Sequence, residues 1–120
     1  MDFGLTSGQR ELRDHAARFA EEEVAPQAAE LDREDRVPFE TLEKLAGMGW
    51  MGLCVPEEYG GSGSDFVSYV LMLEEISRAD AGLGATLAVH TSAGTLPILT
   101  YGNGKRAIVT MRGAKWRAER

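Results

Sequence analysis

Two histidines, one cysteine, two glutamate pairs and one glycine-rich loop are the features of this sequence that could carry chemistry. His15, His90 and Cys54 are too few for a closed zinc site, and their spacing matches no ligand pattern. A Cys54–histidine nucleophile pair has nothing in the sequence to support it. Glu22-Glu23 and Glu74-Glu75 are neighbours in helical stretches, so the members of each pair point about 100° apart and form no carboxylate dyad. Their expected role is a solvated face. Gly60-Gly61-Ser62-Gly63 precedes a helix, where backbone N–H groups attract anions. It lacks the third glycine of the dinucleotide fingerprint and the lysine of a P-loop, and Asp65 puts a negative charge where a phosphate would sit. A plain loop is the expected reading. No catalytic residue and no metal ligand is assigned.

The elements that position these residues read as helices throughout. Thr6-Ser7-Gly8-Gln9 fits a capping box, and Leu12, Ala16, Phe19, Ala20 and Val24 then recur at spacings of three and four. Pro26 should kink or interrupt that helix, with the pattern resuming through Ala28, Ala29 and Leu31. A second helix opens at Pro38, with Phe39, Leu42, Leu45 and Ala46 as its stripe. Residues 47–63 hold six of the 14 glycines, which marks loop. Trp50–Val55 inside it is expected to be an extended segment buried against helices. Asp65 caps a third helix with Phe66, Val70, Leu73 and Ile76 or Ser77 facing inward. Residues 81–104 contain no Asp, Glu, Lys or Arg. Only about half of them are apolar, so a buried helix pair broken near Gly94–Pro97 suits them better than a membrane span.

Composition narrows the class. A chain of 120 residues accommodates one domain, and 43% apolar with 27% charged residues is a globular balance. A single cysteine makes no internal bridge, and the amino terminus has no signal-peptide pattern, so a cytoplasmic location is expected. Residues 1–100 carry 18 acids against 7 bases, whereas residues 101–120 carry six bases and one acid. The basic tail lacks interleaved aromatics and adjoins an acidic body, so no nucleic acid is expected as a partner.

Several stretches together resemble the N-terminal domain of the FAD-dependent acyl-CoA dehydrogenases. They are Leu5-Thr6-Ser7-Gly8-Gln9-Arg10-Glu11-Leu12, then Arg18-Phe19-Ala20-Glu21-Glu22-Glu23-Val24-Ala25-Pro26, then Val55-Pro56-Glu57-Glu58-Tyr59-Gly60-Gly61. Leu73-Glu74-Glu75-Ile76-Ser77-Arg78-Ala79-Asp80 and Leu96-Pro97-Ile98-Leu99-Thr100-Tyr101-Gly102-Asn103 complete the set. The resemblance implies an all-α, N-terminal helical bundle domain over residues 1–103. In complete members a β-rich middle domain and a C-terminal helical domain follow, holding nearly all FAD contacts and the glutamate base. It implies no cofactor-binding or catalytic residue here, no flavin on this chain alone, and an acyl-CoA substrate only for the complete enzyme. What it does imply is a share of the acyl-pocket wall from Leu87, Val89, His90, Ala93 and Leu96. An uncharged stretch of small and apolar side chains fits such a slot, and equally fits an ordinary core.

The resemblance stops after Asn103, where Gly104–Arg120 departs from the family pattern and the charge changes sign. That combination suggests a gene cut short with an out-of-frame tail, which a recognisable continuation in another reading frame of the DNA would show. The rival reading is a non-enzymatic helical interaction module that packs on a partner carrying the flavin domains. Either way the chargeless stretch near residues 81–104 should leave apolar surface in water, and patches beyond a few hundred Å² drive association. The chain is therefore expected to self-associate or to be loosely packed, and to bind a hydrophobic dye. Sedimentation showing a dye-free monomer that melts cooperatively would mean that the helices close a self-sufficient core.

Overall fold

The α-helices begin either at a side chain that accepts from a free N–H or beside a proline, which has no N–H to leave unpaired. The structure, a computed structural model, describes Met1 and residues 3–102, so the basic tail at residues 104–120 lies outside the described residues. The Thr6 hydroxyl accepts from the Gln9 N–H at 3.2 Å, and the Gln9 side chain accepts from the Thr6 N–H at 3.0 Å. This capping box opens α1, Ser7–Phe19. A π turn, Ala20–Val24, leads straight into α2, Ala25–Arg33. Pro26 therefore does not break the helix. Its ring crowds the carbonyl four residues back, and the wider π turn makes room while the helix runs on.

Helix α3, Phe39–Gly47, starts just after Pro38. Two single turns of 3-10 helix follow, Trp50–Gly52 and Glu57–Tyr59. Then come α4, Phe66–Ala79, and α5, Ala81–Val89. A second π turn, His90–Thr95, continues α5 into α6, Leu96–Tyr101. The expected break near Gly94–Pro97 is thus a local widening inside one continuous helical run. Among the described residues every regular element is helical, as expected.

The core is centred on α1 against α4, the most extensive pairing in the fold. Ala16, Phe19, Tyr69, Met72 and Ile76 are buried there, each large side chain being worth about 1.5–3 kcal/mol of transfer free energy. Trp50 closes one end, meeting Phe19 edge-on at 5.7 Å and His15 at 5.1 Å between ring centroids. His15 itself is exposed, at the edge of the buried stripe.

Four expectations need correction. The inward face of α4 is Ser68, Tyr69, Met72, Glu75 and Ile76, whereas Phe66 and Val70 are 57% and 44% exposed. The first half of α4 is apolar nearly all round, so periodicity alone leaves its rotation open. The Gln9 side chain settles it by donating to Asp65 at 3.1 Å, which turns positions three, four, seven and eleven beyond Asp65 toward α1. In α3, Phe39 faces solvent and Thr41 is buried instead, accepting from the Gln27 side chain on α2. Trp50–Val55 is buried but not extended: it winds through a 3-10 turn and a further turn in which the Val55 N–H bonds the Gly52 carbonyl at 3.1 Å. Glu75 also departs from the solvated role, being buried and ion-paired with Arg78.

Helices α4 and α5 approach closely at Gly84. A Cβ built there would lie 2.0 Å from the Ser77 hydroxyl oxygen and 2.9 Å from the Ser77 Cα. The backbone atom cannot swing aside. Gly84→Ala should lower the unfolding free energy by about 1–3 kcal/mol in urea titration. Gly8→Ala, at a site with nothing within 4 Å, should leave it unchanged or raise it by up to about 1 kcal/mol.

Candidate functional site

The chargeless stretch is held by a single residue at its start. The Asp80 carboxylate accepts from the Leu83 N–H at 3.0 Å, capping α5, while the Asp80 N–H bonds the Ile76 carbonyl at 2.9 Å and closes α4. From that corner Leu83, Leu87, Thr91 and Thr95 descend on the buried side. The opposite side turns Ala85, Val89, Ser92, Ala93 and Pro97 to solvent.

The five residues expected to line an acyl pocket therefore divide. Leu87, 1% exposed, belongs to the hydrophobic core and lies behind the surface. Val89 is 62% exposed, Ala93 is exposed, and His90 and Leu96 are half-buried. These four fall within an uncharged strip spanning the end of α5, the π turn and the start of α6, with Val89 and Ala93 on its outward side and His90 turned about 100° round the helix from Val89. It is a face, with no enclosure over it. An open groove of about 550 Å³ lies elsewhere, between the end of α2 and the start of α5, lined by Leu31, Asp32, Arg36, Asp80 and Thr86 among others. It includes none of the five.

Behind the strip lies a polar contact that the sequence reading missed. Tyr69 of α4 and Thr91 of the π turn, both buried, hydrogen-bond through their side chains. Burial pushes the Tyr69 hydroxyl above its ordinary range, the Thr91 bond opposing it. Burial likewise pushes the half-buried Cys54 thiol up, the reverse of what a nucleophile needs. The signal that could have found the contact is the spacing of Thr91 and Thr95, each four residues on from the last buried position.

The glycine-rich loop is closed on itself. Ser62, Gly63 and Ser64 donate their N–H groups to the carbonyls of Gly52, Val55 and Leu53 at 2.9–3.0 Å. A Cβ at Gly61 would fall 2.1 Å from the Val55 oxygen, so only glycine fits there. Asp65 occupies the N-terminus of α4, accepting from the Ser68 N–H and hydroxyl, both at 2.9 Å. Neither the loop nor the helix start is open to a phosphate. Among the described residues no group of three or more His, Cys, Asp or Glu is placed to hold a metal, and no helix is long and apolar enough to cross a membrane.

Residues 6–106 match the model of the acyl-CoA dehydrogenase N-terminal domain. The chain belongs to the acyl-CoA dehydrogenase family. It is 46% identical over 99 residues to an acyl-CoA dehydrogenase of Bacillus subtilis, covering 82% of this chain and 26% of that one. It is 44% identical over 92 residues to a short-chain specific acyl-CoA dehydrogenase of Clostridium acetobutylicum, covering 77% and 24%. The fold agrees with the butyryl-CoA dehydrogenase structure from Megasphaera elsdenii at a TM-score of 0.86 and 33% identity, covering 95% of this chain and 32% of that one. The chain thus spans about a quarter of the length of the curated family members it matches.

Asp65 gives this family domain a pH signature. The Ser68 N–H first, then the Ser68 hydroxyl, with the Gln9 side chain adding to them, hold its carboxyl below the usual carboxylate range. A lowered folded-state pKa adds stability that is present above the unfolded pKa and lost as pH falls through the folded one. Asp65→Asn, which keeps an N-cap acceptor, should be less stable than the parent at pH 7. The gap should close as the pH is taken down through and below the carboxylate range. Urea midpoints measured at each pH check this.

Proposed function

We propose that this chain forms the helical N-terminal part, over residues 1–103, of an FAD-dependent acyl-CoA dehydrogenase that oxidises acyl-CoA thioesters in fatty-acid or related acyl metabolism. The observation that carries this reading is the family match over residues 6–106, taken with an uncharged strip that the domain itself leaves open. Val89, His90, Ala93 and Leu96 supply one wall of an acyl slot, and Leu87 backs it from the core. Its chemistry suits a saturated chain: no formal charge from Ala81 to Asn103, small side chains at Ala85 and Ala93, and a branched apolar side chain between them. A wall without a roof needs the middle and C-terminal domains as partners to complete the slot. In such an enzyme the flavin accepts the hydride. The residues of this chain hold the alkyl end of the substrate and exclude water from it, and they move no proton. The single, half-buried Cys54 suits the reducing conditions of the cytoplasm.

The test is a chimera in which residues 6–103 replace the matching segment of the Bacillus subtilis relative. The chimera should carry flavin and dehydrogenate acyl-CoA. Val89→Trp in that background should cut kcat/KM for a long acyl-CoA at least about tenfold while leaving a short one within about twofold, since lost apolar contact acts through chain length. An active chimera whose chain-length profile ignores Val89, Ala93 and Leu96 would remove the wall assignment.

A further inference from the structure

The open groove between α2 and α5 lies apart from the acyl wall, and its lining mixes two chemistries. Ala28, Leu31, Val37, Pro38 and Leu83 give it an apolar floor, with Val37 53% exposed. Asp32, Asp35 and Asp80 bring carboxylates to the same space. Arg36, the base in the lining, is paired with Glu34 at 2.5 Å, and among the described residues Asp32 and Asp35 have no ion-pair partner. A second hollow, of about 400 Å³, extends the floor over Pro38 and Phe39. An apolar hollow with unneutralised carboxylates suits an aromatic side chain that has bases beside it.

The chain itself holds such a segment. Residues 104–120 carry six bases against one acid, and their one aromatic, Trp116, stands between Lys115 and Arg117. Residues 81–101 form one helical run, about 30 Å long at about 1.5 Å per residue, with the groove at its start. Trp116 follows Gly102 by 14 residues, which span at most about 46 Å at about 3.3 Å each. The segment can therefore double back along the run, and attachment to the same chain gives it an effective concentration of about millimolar. Other surfaces suit it less. The outward strip has no charge to attract it. Beside Glu22 and Glu23 the hollow is only about 240 Å³, includes Arg18, and has Glu23 already paired with Lys44.

We propose that the groove between α2 and α5 is the docking site of the chain's own basic segment, residues 105–117, with Trp116 on the apolar floor and Lys115 and Arg117 beside Asp32 and Asp35. The indole supplies most of the gain, since exposed ion pairs contribute little, and the charges choose the groove. Docking here depends neither on the acyl wall nor on the domains that complete an enzyme.

Carbodiimide coupling of lysines to carboxylates on the full chain, read by peptide mass mapping after sizing, tests this. At low salt a monomer-sized product should join Lys115 to Asp32 or Asp35, well above its coupling to Glu21 or Glu22. Raising the salt from about 0.1 M to about 1 M should lower that yield, as the screening length drops from about 10 Å to about 3 Å. Trp116→Ala should lower it at least about fivefold, since an aromatic anchor carries most of such a contact. Val37→Ser, which thins the floor at an exposed position, should lower it as well. Lys115 coupling evenly to acids across the surface, or only in dimer-sized products, overturns the proposal. So does an undiminished yield in Trp116→Ala or in Val37→Ser, which would leave charge attraction alone or seat the indole elsewhere.

Discussion

An α-helix repeats every 3.6 residues, yet both long helical runs of this domain bury side chains at intervals of four. Ala16, Ala20 and Val24 do so in the first run, and Leu83, Leu87, Thr91 and Thr95 in the second. The mismatch must be absorbed somewhere or the buried line winds out into water. Each run absorbs it in one π turn, and each π turn is followed two residues later by a proline, Pro26 or Pro97. Proline favours the site because it donates no N–H and needs extra room behind it. The packing of α1 on α4, of α4 on α5, and the placing of the uncharged strip all follow from keeping those two lines straight.

Polar groups then fix what apolar packing leaves undecided. Gln9 serves two helix starts at once, its oxygen accepting from Thr6 and its nitrogen donating to Asp65. That one amide links the start of α1 to the start of α4, whose buried face includes the polar Ser68 and Glu75 while Phe66 and Val70 stay exposed. Glu23 pairs with Lys44 and Gln27 bonds Thr41, adding polar ties between α3 and the first run to the burial of Leu45 in the core. The interior of this domain is specified by a few hydrogen bonds laid over a permissive hydrophobic pattern.

Much of this was legible beforehand. The capping box at Thr6, the stripe from Leu12 to Val24 and the cap at Asp65 are local signals, and local chemistry sufficed to read them. What escaped depended on partners distant in the chain. Asp65 looked like a cap and nothing more, because Gln9 stands 56 residues away. Trp50–Val55 looked extended because its apolar run hides the turn that Gly49 and Gly52 permit. Of the candidate wall, Val89 and Ala93 are exposed, His90 and Leu96 are half-buried, and Leu87 lies in the core. The four-residue spacing that separates them was present in the sequence, but helical periodicity is read with too coarse a ruler to register one extra residue per turn.

The corner at Asp80 has a mechanical meaning. One residue ends α4 and begins α5, with its carboxylate, N–H and carbonyl all engaged, the last accepting from the Gly84 N–H at 3.0 Å. There is no linker to flex. A displacement imposed at the far end of α5 cannot be dissipated at this joint and must pass into α4 as rotation of a rigid bracket. The stretch from Glu34 to Pro38, by contrast, is a true connector, and length changes tolerated there would be ruinous at residue 80. The corner therefore fixes the angle between α4 and α5 through one residue's own hydrogen bonds, where α2 and α3 meet through a separate connector.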